Sequence, residues 1–98
     1  MKEIDEAVEE FAELLKAIGH PVRLCIVRGL AEHSSNVTRM QECMCLTQPT
    51  VSKHVGILKA RGIIKGERRG PEVIYRLVDD DVMKIVLLLR EKYENGKA

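Results

Sequence analysis

The 98-residue sequence predicts a mainly α domain with a small β-hairpin. Two observations predict it. Apolar residues recur at helical spacing through most of the chain, and the period drops from 3.6 to about 2 only between residues 63 and 77. The only aromatic side chains are Phe11, Tyr75 and Tyr93, so the core has to be built from Ile, Leu, Val and Met.

Ile4, Val8, Phe11, Leu14, Leu15 and Ile18 mark an amphipathic first helix with an acidic outer face, stopped by Gly19. Pro21 fits the first turn of a second helix, where its missing N–H costs nothing, and Val22, Leu24, Cys25, Ile26, Val27 and Leu30 supply its apolar side. That helix fades into Glu32-His33-Ser34-Ser35. Asn36 is placed to cap a short third helix holding Val37, Met40 and Met44. A tight connection, Cys45-Leu46-Thr47-Gln48-Pro49-Thr50, leads into a fourth. There Thr47 offers a capping hydroxyl, Pro49 falls in the tolerant first turn, and Val51, Val55 and Leu58 form the inward stripe. Gly62 suits a left-handed end.

Ile63–Arg68 and Glu72–Leu77 alternate as two strands joined by Arg69-Gly70-Pro71. Asp79, Asp80 and Asp81 open a last helix, where carboxylates complement the positive end of the dipole. Val82, Ile85, Val86, Leu89 and Tyr93 mark one face of it. Leu87 and Leu88 widen the apolar surface beyond what one core contact needs. The order is α1-α2-α3-α4-β-β-α5. A short turn joins the third and fourth helices and a hairpin follows them, which is the arrangement of a winged helix-turn-helix.

The length suits one domain spanning 1–98, and a chain so short gains from oligomerisation. No apolar run approaches the roughly 20 residues that span a bilayer. Met1-Lys2-Glu3-Ile4-Asp5-Glu6 lacks the basic-then-apolar order of a secretory signal, so a cytoplasmic protein is expected. Three cysteines are an odd number and argue against a disulfide framework.

The net charge of +1 conceals a strong division. Residues 1–46 carry five basic and eight acidic side chains, and residues 77–98 four and five. Residues 47–76 carry seven basic against two acidic. Such clustering suits either a polyanion-binding surface or a solvated face. From Leu46 to Gly66 there is no acidic residue at all. With Val51, Val55 and Leu58 inward, Pro49, Ser52, Lys53, Gly56 and Ala60 turn to the far side, 100° per residue. Small side chains there permit close approach to a groove floor. Gln48, Thr50, Ser52, Lys53 and His54 offer hydrogen bonds to base edges or phosphates.

Three stretches carry a family resemblance. Gln48-Pro49-Thr50-Val51-Ser52-Lys53-His54-Val55, followed by Leu58-Lys59-Ala60-Arg61-Gly62-Ile63-Ile64, resembles the recognition-helix signature of the ArsR/SmtB repressors. Leu14-Leu15-Lys16-Ala17-Ile18-Gly19-His20-Pro21-Val22-Arg23-Leu24 is similar to that family's entry into its second helix, and Glu67-Arg68-Arg69-Gly70-Pro71-Glu72-Val73-Ile74-Tyr75 to its wing. The resemblance spans about Ala12 to Val86. It implies a repressor that binds a near-palindromic double-stranded DNA operator as a homodimer, built largely from the helices at about 4–18 and 79–94, and is released by a signal. It also implies that Thr47, Gln48, Thr50, Ser52, Lys53 and His54 meet groove and phosphates, and that Arg68 and Arg69 at the wing tip reach the adjacent minor groove or backbone. For His54 the competing reading is a histidine beside the core stripe that simply bonds to the backbone, and for the two arginines a charged turn. Lys59, Arg61 and Lys65 belong to a general positive field.

Family members that bind metal do so through a Cys-x-Cys on the third helix or Asp/His pairs on the last. The position corresponding to the first pattern reads Asn36-Val37-Thr38. For the second, Asp79 and Asp81 lack histidine partners, the later positions being Lys92 and Asn95. No metal or other cofactor is expected. Cys25 reads as a buried small hydrophobe. Cys43 and Cys45 stay open between burial, thiol sensing and soft-metal binding, since reactivity needs exposure. An enzyme is disfavoured: no Ser/His/Asp set, paired carboxylates or phosphate-cradling glycine loop can be assembled. The alternative to DNA binding is a winged helix used for protein–protein interaction.

Overall fold

The computed structural model describes residues 4–95. Met1–Glu3 of the acidic opening, and the outer limits of the expected 1–98 domain, lie outside it. Helix α1 runs Glu6–Ile18, α2 Pro21–Leu30, α3 Val37–Met44 and α4 Gln48–Ala60. Strands β1 (Ile64–Arg69) and β2 (Glu72–Leu77) follow, then α5 (Asp80–Arg90), continued by a π-helical turn over Glu91–Asn95. The expected order is therefore present. Among the described residues, no helix is long and apolar enough to cross a membrane.

Each helix begins where a side chain takes up an orphan N–H. The Asp5 carboxylate accepts from Val8 N–H at 2.9 Å, and Asn36 Oδ1 from Arg39 N–H at 2.8 Å. Asp79 accepts from both Asp81 and Val82, at 2.9 and 3.0 Å. Asp79 is thus the cap of α5 rather than part of its first turn. The cap of α2 was not anticipated: His20 Nδ1 accepts from Val22 N–H at 3.1 Å, ahead of Pro21.

The stops are equally local. Gly19 ends α1 at φ −81°, not in a left-handed turn. Its role is room, because a Cβ there would lie 2.8 Å from the Leu15 carbonyl oxygen. Cys45 closes α3 with a left-handed φ of 54°, and Gly62 follows α4 at 72°.

Leu58, Ile63, Ile64, Val27, Val51 and Val82 are the largest fully buried side chains. They place the core where α2, α4, the base of the wing and α5 converge. Ile63 precedes the strand instead of starting it, and its carbonyl accepts from Val78 and Asp79 N–H at 3.0 and 3.2 Å. The wing is a two-residue hairpin pairing Arg69 with Glu72 around Gly70 and Pro71. Gly70 at φ 62° before a proline fixed near −65° has the signs of a type II′ turn, which matches strand twist.

α1 stands apart. Only Ala17 and Ile18 in its last turn are buried. Ile4 (72%), Val8, Phe11 (64%) and Leu15 form an exposed stripe, and Leu87, Leu88 (66%) and Tyr93 stand exposed on α5 and the turn after it. The apolar stripe of the amphipathic α1 thus turns mostly outward.

Candidate nucleic-acid interface

The polar reach of α4 is set at its first turn. Thr47 Oγ1 accepts from Thr50 N–H at 3.4 Å and lies 2.8 Å from the Thr50 hydroxyl. The cap therefore also orients a second hydroxyl beside it. Thr47, Gln48, Ser52 and Lys53 are exposed and Thr50 is half-buried. Pro49, Gly56 and Ala60 are exposed too, so a narrow, low-relief, acid-free side of α4 faces outward.

His54 departs from the set. It is only 7% exposed, the one buried polar side chain among the described residues. Its Nδ1 lies 3.0 Å from Arg23 Nη1, and its ring centroid is 4.5 Å from that of His20. Since the arginine donates, Nδ1 accepts and the imidazole is neutral. Burial first, then the charges of His20, Arg23 and Lys53, hold His54 below its usual pKa. His54 therefore lies on the inward side of α4 with Nδ1 engaged by the Arg23 side chain, unlike the exposed residues expected to meet the groove with it. The helical period carried that signal. His54 sits three residues from Val51 and four from Leu58, within about 60° and 40° of them around the helix.

The wing places its arginines on opposite faces, by strand alternation. Arg68 pairs across the hairpin with Val73, and Arg69 with Glu72. Arg69 is also engaged with Glu67, Nη2 to Oε1 at 2.8 Å, both side chains largely exposed. The two arginines share the wing tip but not one direction. Lys65 and Arg76 are register partners, both exposed. Like charges directly opposite each other destabilise a hairpin, so this pair loses stability that an anionic partner would restore.

Two contacts brace the wing against the helix-turn-helix. Asn36 Nδ2 donates to Glu72 at 2.7 Å, and Ser35 forms an isolated bridge to Tyr75. Gly66 permits Tyr75 to lie over β1, since a Cβ there would meet Tyr75 Cε1 and Val73 Cγ1 at 2.8 Å each.

Cys43 and Cys45 are exposed and Cys25 is half-buried. The burial reading of the first two is thereby removed. Cys25 and Cys43, rather than Cys43 and Cys45, line a common groove of about 590 Å³ between α2 and α3. Among the described residues, no group of three or more His, Cys, Asp or Glu side chains is placed to hold a metal ion.

This geometry has close counterparts. The chain is 44% identical over 82 residues to the HTH-type transcriptional repressor SmtB of Mycobacterium tuberculosis, covering 84% of this chain and 61% of that protein. It is 41% identical over 85 residues to the transcriptional repressor PagR of Bacillus anthracis, covering 85% and 84%. The crystal structure of the transcriptional repressor BigR from Xylella fastidiosa superposes with a TM-score of 0.82 at 33% identity, covering 87% of each chain. The chain thus spans less than two thirds of the SmtB relative's length but most of the other two. No protein-family model matches it. With the cap, turn, recognition helix and wing in place, these relatives assign the chain to the ArsR/SmtB family of winged helix-turn-helix transcriptional repressors.

Proposed function

We propose that the protein is a homodimeric, sequence-specific repressor that binds a near-palindromic operator in the cytoplasm. The outward side of α4 enters the major groove, and the wing meets the flanking minor groove or backbone. The observation that carries this reading is the acid-free exposed side of α4, bearing Thr47, Gln48, Ser52 and Lys53, with exposed cations on the wing that follows it in the chain. Thr50 supplies a hydroxyl at the helix entrance. Ser52 and Gln48 read base edges, and Lys53, Arg68 and Arg69 neutralise phosphates.

The dimer is supported by the exposed stripes of α1 and α5. A two-fold pairing of these helices would cover Ile4, Val8, Phe11, Leu15, Leu87 and Leu88 and pair two recognition helices. Half-sites about 34 Å apart would follow, one helical turn of DNA.

A signal reaches the protein, in this reading, at Cys43 and Cys45. Their exposure at the turn leading into the recognition helix supports it. Alkylation of the thiols with no change in DNA affinity disposes of this element alone.

The test is fluorescence anisotropy on a duplex that the protein selects from a random pool, titrated between about 50 and 200 mM salt, over which a protein making about 6–10 phosphate contacts loses roughly 10³–10⁵ in affinity. A steep salt response with strong preference over random duplex supports the reading. A flat response without selection favours a protein-interaction module.

A further inference from the structure

Most of α1 is exposed, yet its last turn is firmly attached, and the attachment leads to α4. Arg23 lies on α2 between the two. Its Nε donates to the Ala17 carbonyl and its Nη2 to the Lys16 carbonyl at 3.4 Å, occupying oxygens that the end of α1 leaves without helical partners. Its remaining arm, Nη1, reaches His54 Nδ1 at 3.0 Å. One planar guanidinium therefore holds three acceptors on two helices that are not neighbours in sequence. A planar fork fixes relative direction as well as distance, which a single-point ammonium cannot do.

His54 is suited to receive it. Buried and packed on the His20 ring, it cannot rotate away to water, and it is part of α4 one turn from Val51 and Leu58. His20 in turn is fixed as the cap of α2. A weaker, exposed tie, Glu13 to Arg61 at 3.4 Å, joins α1 to the far end of α4.

We infer that Arg23 is a positioning residue that locks the C-terminal turn of α1 to the recognition helix, so that the angle of α1 sets the direction of α4. Resting on the dimer reading above, the consequence is that Arg23 transmits dimer geometry into the separation of the two recognition helices. It touches no DNA in this role.

The test measures the α1–α4 distance directly and needs neither dimer nor operator. Spin labels are placed through E10C and S52C in the 98-residue chain carrying C25A, C43S and C45G. Labelled chains are diluted with excess unlabelled chain, so that pulsed dipolar spectroscopy reads distances within one subunit. With Arg23 present a single narrow distribution is expected. R23A broadens it at least twofold, and R23K, which keeps the charge and the aliphatic stem, broadens it comparably. E13Q leaves it unaltered. An unchanged width in either folded Arg23 variant, even with a lowered melting temperature, overturns the inference, since that is the signature of a generic stabilising contact.

The second arm uses duplexes selected by the wild-type protein, with one base pair inserted between the half-sites. Wild type discriminates against the insertion, and R23K reduces that discrimination at least tenfold while binding random duplex within twofold of wild type. Retained discrimination overturns the inferred transmission. A wild type that selects no two-part site sinks the dimeric-repressor reading, while the distance arm still decides Arg23.

Discussion

Ser35 and Tyr75 exchange a pair of backbone hydrogen bonds, Ser35 N–H to the Tyr75 carbonyl at 3.0 Å and Tyr75 N–H to the Ser35 carbonyl at 2.7 Å. This bridge ties the segment between α2 and α3 to the second strand of the wing, so the hairpin is anchored to the helix-turn-helix. A free two-stranded hairpin is marginal in water, and a third pairing segment supplies what it lacks.

Removing the donor at residue 35 should release the wing. S35P deletes one of the two bonds and should lower stability by about 1–3 kcal/mol, the cost of stranding a backbone acceptor. Hydrogen exchange is the sharper readout: Val73 to Leu77 amides should lose protection before those of α4 do.

A methyl group at residue 66 should press on the same element. The Cβ of G66A falls 2.8 Å from Val73 Cγ1, a β-branched group with little freedom to move, and equally close to the Tyr75 ring. The expected loss is about 1–3 kcal/mol by overpacking, measured by denaturant melting. Far-UV spectra should report an intact helical domain.

The wing arginines should separate in their effects. Glu67 already engages Arg69, so R69A removes a partly neutralised charge and R68A a different one on the opposite face. Both substitutions should weaken binding across all DNA sequences, R68A flattening the salt slope by about 1 and R69A, whose charge Glu67 already shares, by less. E67Q should tighten binding severalfold by freeing Arg69, at little stability cost, because an exposed ion pair contributes only about 0–1 kcal/mol.

Acid should act through His54. Folding depresses its pKa below the ordinary value of 6.5, chiefly by burial, so the unfolded chain binds the proton more tightly. The contribution to stability is complete above about pH 6.5 and is lost as the pH falls from there toward the depressed value, with a slope of at most about 1.4 kcal/mol per pH unit. His20, Arg23 and Lys53 all oppose a positive charge at this site. H54N, which keeps an acceptor for Arg23 but does not titrate, should flatten stability between pH 7.5 and 5.0, read by urea melts.

Much of the architecture was legible because its signals are local. Asn36, Thr47, Pro21, Pro49 and Gly62 act within a few residues of themselves, and each stands where its chemistry implied. The exposed polar side of α4 followed from a simple rotation about Val51, Val55 and Leu58. The same rotation, applied to His54, points inward, and strand alternation separates Arg68 from Arg69. Both signals are present in the sequence, in the 3.6-residue and two-residue periods themselves.

Other features were not legible, for a physical reason. The partners of Arg23 lie six, seven and thirty-one residues away, and the partner of Ser35 lies forty away. Tertiary proximity alone creates such contacts. The stripe on α1 shows the complementary limit: periodicity finds an apolar face but not whether it packs on its own chain or on another.

The central claim is that the outward side of α4 lies against DNA, and Ser52 is the residue at which to test it. S52E places a carboxylate where phosphates and base edges would be, on an exposed position that packing does not constrain. Anisotropy on a wild-type-selected duplex should show at least a hundredfold loss of affinity, with the melting temperature and sedimentation of the protein unchanged. Affinity within threefold of wild type would place the DNA elsewhere and contradict the account.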